Sequence, residues 1–458
     1  MILRHTIQQK GRHHMRKLNL THTIITISIL TSLLLSGCGN TTISDDKTFP
    51  VISNYGTSQI ESNFKEPSTT PIEYWEDIQP EQVPITSDPT VPAFEEYDIH
   101  LMALGDNLIH MGVVHTGKQA DGTRNYDFLF DSISDFLQKA DIKIINQETP
   151  LAGNELGFSG FPHFNSPTEI GDAIVAANFN VVLHASNHSA DQGYGGIDSC
   201  VSYWNTHQDI LMTGIHMPSD TQDIPLLTIK DKTFAILNYT YGPNYATVPV
   251  EISDRLNILC NINPDTRQLD YTTLNPQVLE DIQAADELAD IVIVCPHWGT
   301  EYSTNPSSYQ KKWAMQMTEA GADLIIGTHP HVVQPIEQLV AENGNTSLCY
   351  YSLGNYVSTQ QRAECMLEGM AWVCFHVTKD DISISYDNTG VIPLVCHYTP
   401  RPVRIQDIYL LEDYTEELAA SHGIITYGNI PFSLSDLTTL SDEVLGNWVM
   451  SANEVFYD

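Results

Sequence analysis

Basic residues are scarce in this chain of 458 residues, which carries 21 Lys and Arg against 57 Asp and Glu and a formal net charge of −36 at pH 7. Proteins that bind nucleic acid neutralise phosphates with clusters of Lys and Arg. The composition therefore argues against a nucleic-acid partner. An acidic surface favours solubility at a crowded cell surface, and the same composition also arises as plain solvation without a specific role.

The N-terminal apolar stretch, residues 24–35, is too short for a comfortable transmembrane helix. It follows a basic start and runs into Leu35-Ser36-Gly37-Cys38. This order is typical of a bacterial lipoprotein signal peptide, so we expect removal of residues 1–37 and a lipid on Cys38. An uncleaved anchor or a plain secretory signal would also export the chain. We therefore expect the protein at the extracellular face of the bacterial cell membrane. Its mature net charge would be −41, because residues 1–37 contain five basic and no acidic residues.

No Cys-x-x-Cys pair occurs among the eight cysteines, which argues against a zinc–thiolate site. Cys295 and Cys349 lie in apolar strand-like runs and are predicted to be small core residues. Export permits disulfides. The odd number of cysteines that remains after Cys38, together with their scattered spacing, leaves any pairing open.

The sequence pattern divides the exported chain into three parts. Residues 38–97 are rich in Ser, Thr, Pro, Asp and Glu and are predicted to form a disordered tether. Residues 98–400 alternate strand-like and helical patterns, which predicts one layered α/β domain. Residues 401–458 are acidic and partly amphipathic. We expect this extension to pack on the main domain rather than to offer a helix to a partner.

Short apolar runs in the α/β domain predict buried strands, and polar side chains follow each of them. Helical patterns at residues 128–140, 169–178 and 309–321 separate some of these runs, and Gly193, Gly195 and Gly196 predict a turn before a helix that opens at Ile197. The residues that follow the strands are Asp, Glu, Asn and His, whose oxygen and imidazole groups suit divalent metals. Parallel sheets bind ligands at the carboxyl ends of their strands. The predicted strands are residues 101–104, 142–145, 181–183, 291–295 and 322–326.

Six motifs in this domain together resemble the CapA-type poly-gamma-glutamate capsule synthesis proteins, the PGA_cap family, over roughly residues 98–400. They are ALGDNLIH (103–110), NQETP (146–150), SNHSADQG (186–193), HWGTEY (297–302), GTHPH (327–331) and YSLGN (351–355). That family is related to the calcineurin-like metallophosphoesterases. The resemblance therefore implies an α/β fold of four layers, a metallophosphoesterase-like β sandwich flanked by helices.

The resemblance also implies a centre for two divalent metal ions, with Mn, Fe or Zn as the candidates. Glu148 would bridge the two ions, at a position where the related enzymes use an Asp. Asp106 and His331 would bind the first ion. His110 is either a further ligand of that ion or a hydrogen-bonding neighbour, because three residues separate it from Asp106 where the related motif has one. The ligands of the second ion would be Asn187, His297 and His329.

The resemblance implies a role in catalysis for His188, which would give a proton or a hydrogen bond to the leaving oxygen. Asp191 would orient the ring of His188 and keep it protonated. The alternative is that His188 caps a turn, since residues 186–189 also have good turn chemistry. Glu301 and Tyr302 belong to the capsule-type motif and would line a pocket for an amide or amino-acid substrate.

The function implied is synthesis, anchoring or release of a poly-gamma-glutamate capsule by a metal-dependent hydrolase or transferase-like centre. The partners implied are poly-gamma-glutamate or a related anionic polymer, the membrane through the lipid, and membrane subunits of a capsule synthase. One alternative is a non-catalytic accessory subunit with a structural metal site. A general metallophosphoesterase is a second alternative that follows from the fold relation alone.

Overall fold

The computed structural model describes residues 94–220 and 223–457. The expected signal peptide, Cys38 and nearly all of the expected tether lie outside the described residues. Within the described part of the chain, no helix has both the length and the apolar character required to cross a membrane.

The strands of the described residues, in chain order, are β1 (Tyr97–Asn107), β2 (Ile142–Asn146), β3 (Val181–Leu183), β4 (Leu211–Thr213), β5 (Leu226–Ile229), β6 (Lys232–Thr240), β7 (Cys260–Ile262), β8 (Leu269–Leu274), β9 (Ile291–His297), β10 (Leu324–Ile326), β11 (Ile336–Val340), β12 (Thr346–Tyr350), β13 (Asn355–Val357), β14 (Leu367–Val377), β15 (Ile382–Ile384), β16 (Gly390–Pro400) and β17 (Val403–Leu410).

The α-helices are α1 (Met111–Thr116), α2 (Ser134–Lys139), α3 (Glu169–Ala176), α4 (Gly193–Trp204), α5 (Val250–Ser253), α6 (Pro276–Asp286), α7 (Ser308–Ala320), α8 (Glu416–Ser421), α9 (Gly423–Tyr427), α10 (Leu434–Val444) and α11 (Ala452–Tyr457).

Two mixed sheets form the centre of the domain. The first has the strand order β17-β16-β14-β1-β2-β3-β4, with β13 added beside β1 and β15 beside β14. The second has the order β11-β12-β10-β9-β6-β5, and β7 and β8 form a separate hairpin. Strands β1 to β4 run parallel to one another, as do β6, β9, β10 and β12. Each sheet therefore has a parallel part whose strand ends can carry functional side chains.

The alternation of side chains along β6 shows how the layers are arranged. Phe234 and Ile236 belong to the core shared with the first sheet, and the Phe234 ring lies 5.3 Å from that of Phe375 in β14. Ala235 and Leu237 face the other way, into a second core with residues of α6 and α7. On the far side of the first sheet, Trp372 of β14 contacts Phe136 of α2. The expected α/β sandwich flanked by helices is thus confirmed.

All five predicted strands are present, as β1, β2, β3, β9 and β10. The helical pattern at residues 128–140 forms a 3₁₀ segment, Asp127–Ile133, followed by α2. Helix α7 begins at a capping box of Ser307 and Gln310 and ends at Gly321, which has φ 117°. Helix α4 already begins at Gly193, so the prediction that Ile197 opens it is wrong. Close packing requires glycine at position 196, where a Cβ atom would lie 2.5 Å from the Gln192 side chain.

The C-terminal residues pack against the same core. Ile424, Leu437 and Val455 are buried in it, and Met450 donates a backbone hydrogen bond to Val391 in β16. Strand β17 lies beyond the boundary expected at residue 400 and pairs along its length with β16. The first sheet therefore continues into the predicted extension.

Two valines of the second sheet provide a matched test of this packing. Val294 in β9 is fully buried, whereas Val340 in the edge strand β11 is 66% exposed. We expect Val294→Ala to lower the free energy of unfolding by about 2 kcal/mol, because two methyl groups leave a closely packed layer. Val340→Ala should change it by less than about 0.5 kcal/mol. Denaturant unfolding of both variants measures the difference, and equal effects would contradict the layer assignment.

Candidate metal centre

The ends of the parallel strands from both sheets meet at one place. Asp106 is the last residue but one of β1, and Glu148 follows β2. His297 is the last residue of β9, and His329 and His331 follow β10. All five side chains are at most 3% exposed. The first sheet thus supplies the carboxylates and the second sheet the imidazoles.

Local backbone geometry fixes the positions of these side chains. A Cβ atom on Gly105 would lie 2.1 Å from the carbonyl oxygen of Gly354, so only glycine allows Asp106 to pair with the loop before β13. His329 and His331 have positive φ angles of 96° and 59°. Such left-handed conformations are costly for residues with a side chain and cluster at functional sites.

The two carboxylates lie between the histidines. Asp106 Oδ2 is 3.1 Å from His331 Nδ1, and Asp106 Oδ1 is 3.8 Å from His297 Nδ1. Glu148 Oε1 is 3.8 Å from His297 Nε2, whereas its Oε2 is 3.8 Å from His331 Nδ1. Each oxygen of Glu148 therefore faces a different histidine.

Several ligand atoms in this group have no hydrogen-bond partner. Both oxygens of Glu148 and Nδ1 of His329 are buried and unpaired within the described part of the chain. A buried polar atom without a partner is costly. Ligand atoms of Asp106, Glu148 and His331 lie within 4.8 Å of one another, as do those of Glu301, His329 and His331. This buried group of carboxylates and imidazoles fits a divalent metal ion and can hold one.

Burial and mutual proximity shift the protonation of these groups strongly. Burial and the nearby charge of Asp106 raise the pKa of Glu148 well above its usual value. Burial alone would lower the pKa of His331, but the carboxylates of Glu148 and Asp106 raise it to about 9. Burial and the neighbouring histidines hold the pKa values of His297 and His329 well below the usual range. Both rings are therefore neutral at pH 7, the form in which histidine binds metals.

Amide and hydroxyl groups contact these side chains, and one of them, Asn187, is itself a candidate ligand. Asn187 Oδ1 lies 2.8 Å from His297 Nε2, and Thr328 Oγ1 lies 3.0 Å from Nδ1 of the same ring. Asn146 donates a hydrogen bond of 2.7 Å to Asp106 Oδ1. Asn355 Oδ1 lies 3.1 Å from His331 Nδ1. Partners of this kind fix the tautomers and orientations of metal-binding side chains.

His188 and Asp191 form a separate pair beside the centre. Their Nδ1 and Oδ2 atoms are 2.7 Å apart, and Asp191 also accepts a hydrogen bond from the backbone of Phe164. The Phe164 ring lies edge-on to the His188 ring at 4.7 Å. This arrangement holds one face of the imidazole against an apolar surface and its Nδ1 on a carboxylate. Asp191 and Phe164 therefore fix the orientation of the His188 ring.

His110 is half-buried next to the centre, and its contacts are with residues outside the group of carboxylates. Its Nδ1 atom accepts a hydrogen bond of 3.4 Å from the backbone of Thr359, and its ring contacts Phe164. Burial lowers its pKa to about 3. Of the two alternatives for His110, these contacts favour a supporting neighbour.

The two residues expected in a substrate pocket have different surroundings. Glu301 is exposed and lines a cavity of about 430 Å³ together with Tyr241, Tyr271 and His329. Tyr302 does not line this cavity. Its ring lies beside His331 at 6.0 Å, and Arg362 covers it at 4.2 Å. The centre thus opens toward Glu301, while Tyr302 supports the loop that carries the histidines.

Comparison of the sequence with protein families identifies the family to which the chain belongs. The family model described as bacterial capsule synthesis protein PGA_cap matches residues 100–360, more than half of the chain. The chain belongs to this family. The match includes every candidate ligand from Asp106 to His331 and also the His188–Asp191 pair.

The individual relatives share less than 30% of their residues with this chain. PGA biosynthesis protein CapA of Bacillus subtilis (strain 168) is 27% identical over 323 residues, 69% of this chain and 77% of that protein. Capsule biosynthesis protein CapA of Bacillus anthracis is 28% identical over 283 residues, 60% of this chain and 64% of that protein. A crystal structure of a hypothetical protein from Thermus thermophilus covers 63% of this chain and 98% of its own chain, with a TM-score of 0.34 and 13% identity.

The sequence analysis did not identify three residues that contact the candidate ligands or His188. Asn146 and Thr328 lie inside motifs and could have been found there as neighbours of the ligands. Phe164 lies in no motif, and no signal in the sequence points to it. It contacts both His110 and His188 only because the segment around it folds over the centre.

The protonation of His331 and Glu148 predicts how the metal-free protein responds to pH. The pKa of His331 is about 9 in the folded state and about 6.5 in the unfolded chain, so its stabilising contribution is complete below pH 6.5 and is lost toward pH 9. The raised pKa of Glu148 acts in the same direction. We expect Tm in the presence of a chelator to fall between pH 6.5 and 9.

Glu148→Gln should make this fall smaller, because the Glu148 carboxylate is the main charge that raises the pKa of His331. Glu287→Gln, at an exposed position after α6, is the control and should keep the full fall. Thermal unfolding at matched ionic strength measures it. A Tm that rises over this range in the metal-free protein would contradict the assignment.

Proposed function

We propose that the protein takes part in capsule polymer synthesis at the outer face of the membrane as a lipid-anchored, metal-dependent hydrolase or transferase. The observation that carries the proposal is the buried group of Asp106, Glu148 and three histidines beside an oriented His188–Asp191 pair. Membership of a bacterial capsule synthesis family supports the biological role. The name of the Bacillus subtilis relative, PGA biosynthesis protein CapA, supports poly-gamma-glutamate as the polymer.

The residues suggest two metal positions that share Glu148. Asp106 and His331 would hold one ion, and Asn187, His297 and His329 would hold the other. When bound, divalent ions polarise a scissile carbonyl or phosphoryl group and lower the pKa of a coordinated water toward neutrality. Asn146, Thr328 and Asn355 would keep the ligands in place through their hydrogen bonds.

The chain itself supplies the proton for the leaving group. His188 would donate it from Nε2, since its Nδ1 is occupied by Asp191. Phe164 keeps the other surroundings of the ring apolar. Glu301, at the mouth of the centre, would contact the backbone amide or amino group of the polymer through its carboxylate. In this proposal His188 is the proton donor and Glu301 is a substrate-binding residue.

The charge of the cavity supports a requirement for metal in binding as well as in chemistry. Among the described residues that line the cavity beside Glu301 there is no Lys or Arg. A polyglutamate chain carries carboxylates that this acidic protein repels. Bound cations would provide the local positive charge that such a polymer needs. Metal-stripped protein that bound the polymer equally well would remove this part of the proposal.

Metal analysis tests the centre directly. We expect the full chain to bind about two equivalents of Mn, Fe or Zn at the candidate centre, as in two-metal hydrolases. The double variant Asn187→Ala/His329→Ala should lose at least one of them, because it removes two ligands of the second position. His163→Ala, an exposed histidine, is the control. No metal in the wild-type protein under several loading conditions would overturn the hydrolase mechanism.

Substitution of the proton donor tests the chemistry. His188→Ala and Asp191→Asn should reduce turnover of a poly-gamma-glutamate substrate by about 10²–10⁴-fold while metal content stays the same. His163→Ala should leave turnover unchanged. Unchanged polymer output in cells that carry His188→Ala would favour the non-catalytic accessory subunit. Turnover of a chromogenic phosphodiester, abolished by Asn187→Ala, would favour a general phosphoesterase instead.

A further inference from the structure

A second group of metal-binding side chains lies at the opposite end of β1. Strand β1 pairs antiparallel with β14, and the register places Asp98 opposite His376 and His100 opposite Cys374. Directly paired residues share a face of the sheet, as do alternate residues along one strand. The pairing therefore collects four potential ligands in a two-by-two arrangement on one face.

The distances within this arrangement suit a bound ion. Ligand atoms of Asp98, His100 and Cys374 lie within 4.8 Å of one another. His376 Nδ1 is 2.8 Å from Asp98 Oδ1, and Glu96 lies 3.4 Å from the other ring nitrogen of His376. Cys374 is fully buried, whereas Asp98 and His100 are half-buried. An ion could therefore enter from solvent and reach a protected sulfur atom.

The site is independent of the candidate metal centre. Asp98 precedes Asp106 by eight residues in the same strand, which corresponds to about 26 Å at about 3.3 Å per residue. Cys374 and His376 lie outside the residues that match the family model. A surface ion pair holds His376 beside Asp98 and Glu96, and the thiol of Cys374 interacts with Asp98 as well, so that carboxylate, thiol and the imidazole of His100 converge at one place.

We propose that Asp98, His100 and Cys374 bind a divalent ion of the zinc type, with His376 orienting the carboxylate of Asp98. One carboxylate, one imidazole and one thiolate form a mixed set that suits borderline metals such as zinc or cobalt and does not suit magnesium or calcium. Three protein ligands leave one position of a tetrahedral ion for water. The ion would fasten the first strand of the described domain to β14.

Cobalt(II) provides a probe that separates this site from the candidate centre. The centre has no cysteine among the metal-binding groups of the described part of the chain, but Cys260 lines the cavity beside it, so a thiolate-to-cobalt charge-transfer band identifies the proposed site when it depends on Cys374. We expect the full chain to show this band, and the Asn187→Ala/His329→Ala variant to keep it. Cys374→Ser should abolish the band, whereas Cys349→Ala, at a buried cysteine of the second sheet, should not.

Two milder variants guard against a loss of folding in Cys374→Ser. Asp98→Asn changes a partly exposed side chain with little change in size, and His100→Ala removes one ligand. Each should weaken cobalt binding at least about tenfold while the Tm of the metal-free protein stays close to that of the wild type. A missing thiolate band in the wild type overturns the proposal. So does a band that survives Cys374→Ser, or cobalt affinity that is unchanged in both milder variants.

Discussion

The structure depends on the burial of two carboxylates, Asp106 and Glu148, at the place where the two sheets meet. Buried carboxylates cost several kcal/mol each unless they are paired. His331 offsets part of this cost as an imidazolium, and its pKa of about 9 records the strength of that interaction. Glu148 nevertheless keeps two oxygens without a hydrogen-bond partner among the described residues. The domain is therefore organised around negative charge that its own residues only partly neutralise, which is the condition under which a bound cation stabilises a fold.

This arrangement couples the site to the packing of the whole domain. The carboxylates belong to the first sheet and the histidines to the second, so the distances between them are set by how the sheets pack. Phe234 and Phe375 lie at that interface, remote from the centre in sequence. Small changes in such a core are transmitted because protein interiors are close-packed. The left-handed backbone at His329 and His331 is tolerable for the same reason, since the surrounding layers hold it in place.

The sequence predicted those features that depend on local pattern. The buried strands and the residues at their ends, such as His297 after residues 291–295, follow from apolar runs that stop at polar groups. The start of α4 at Gly193 does not follow from the sequence, because glycine has a low helix propensity and the close approach of Gly196 to Ala152 is visible only in the fold. The sequence also does not decide whether His110 is a metal ligand or a hydrogen-bonding neighbour. Its position depends on the backbone of Thr359, which lies far away in the chain.

Contacts between paired strands are a further feature that local sequence pattern does not predict. The cysteine spacing argues against a thiolate site because no Cys-x-x-Cys pair is present, yet β14 carries Cys374 to the side of His100. Ligands that come from different strands leave no spacing signature in the sequence. The inference drawn from motif spacing therefore applies to sites built within one segment and does not test sites built across a sheet.

The net charge of the chain and the charge of its candidate centre act over different distances. At physiological ionic strength, charges separated by more than about 8 Å in solvent are largely screened. For the anionic polymer proposed as the substrate, the acidic surface as a whole would slow the approach, but it would not decide binding once the polymer reached the cavity. There the nearest groups decide, and they are Glu301, the neutral His329 and whatever cations the buried carboxylates hold. An acidic protein can in this way act on an acidic polymer, provided that the positive charge is concentrated at the centre.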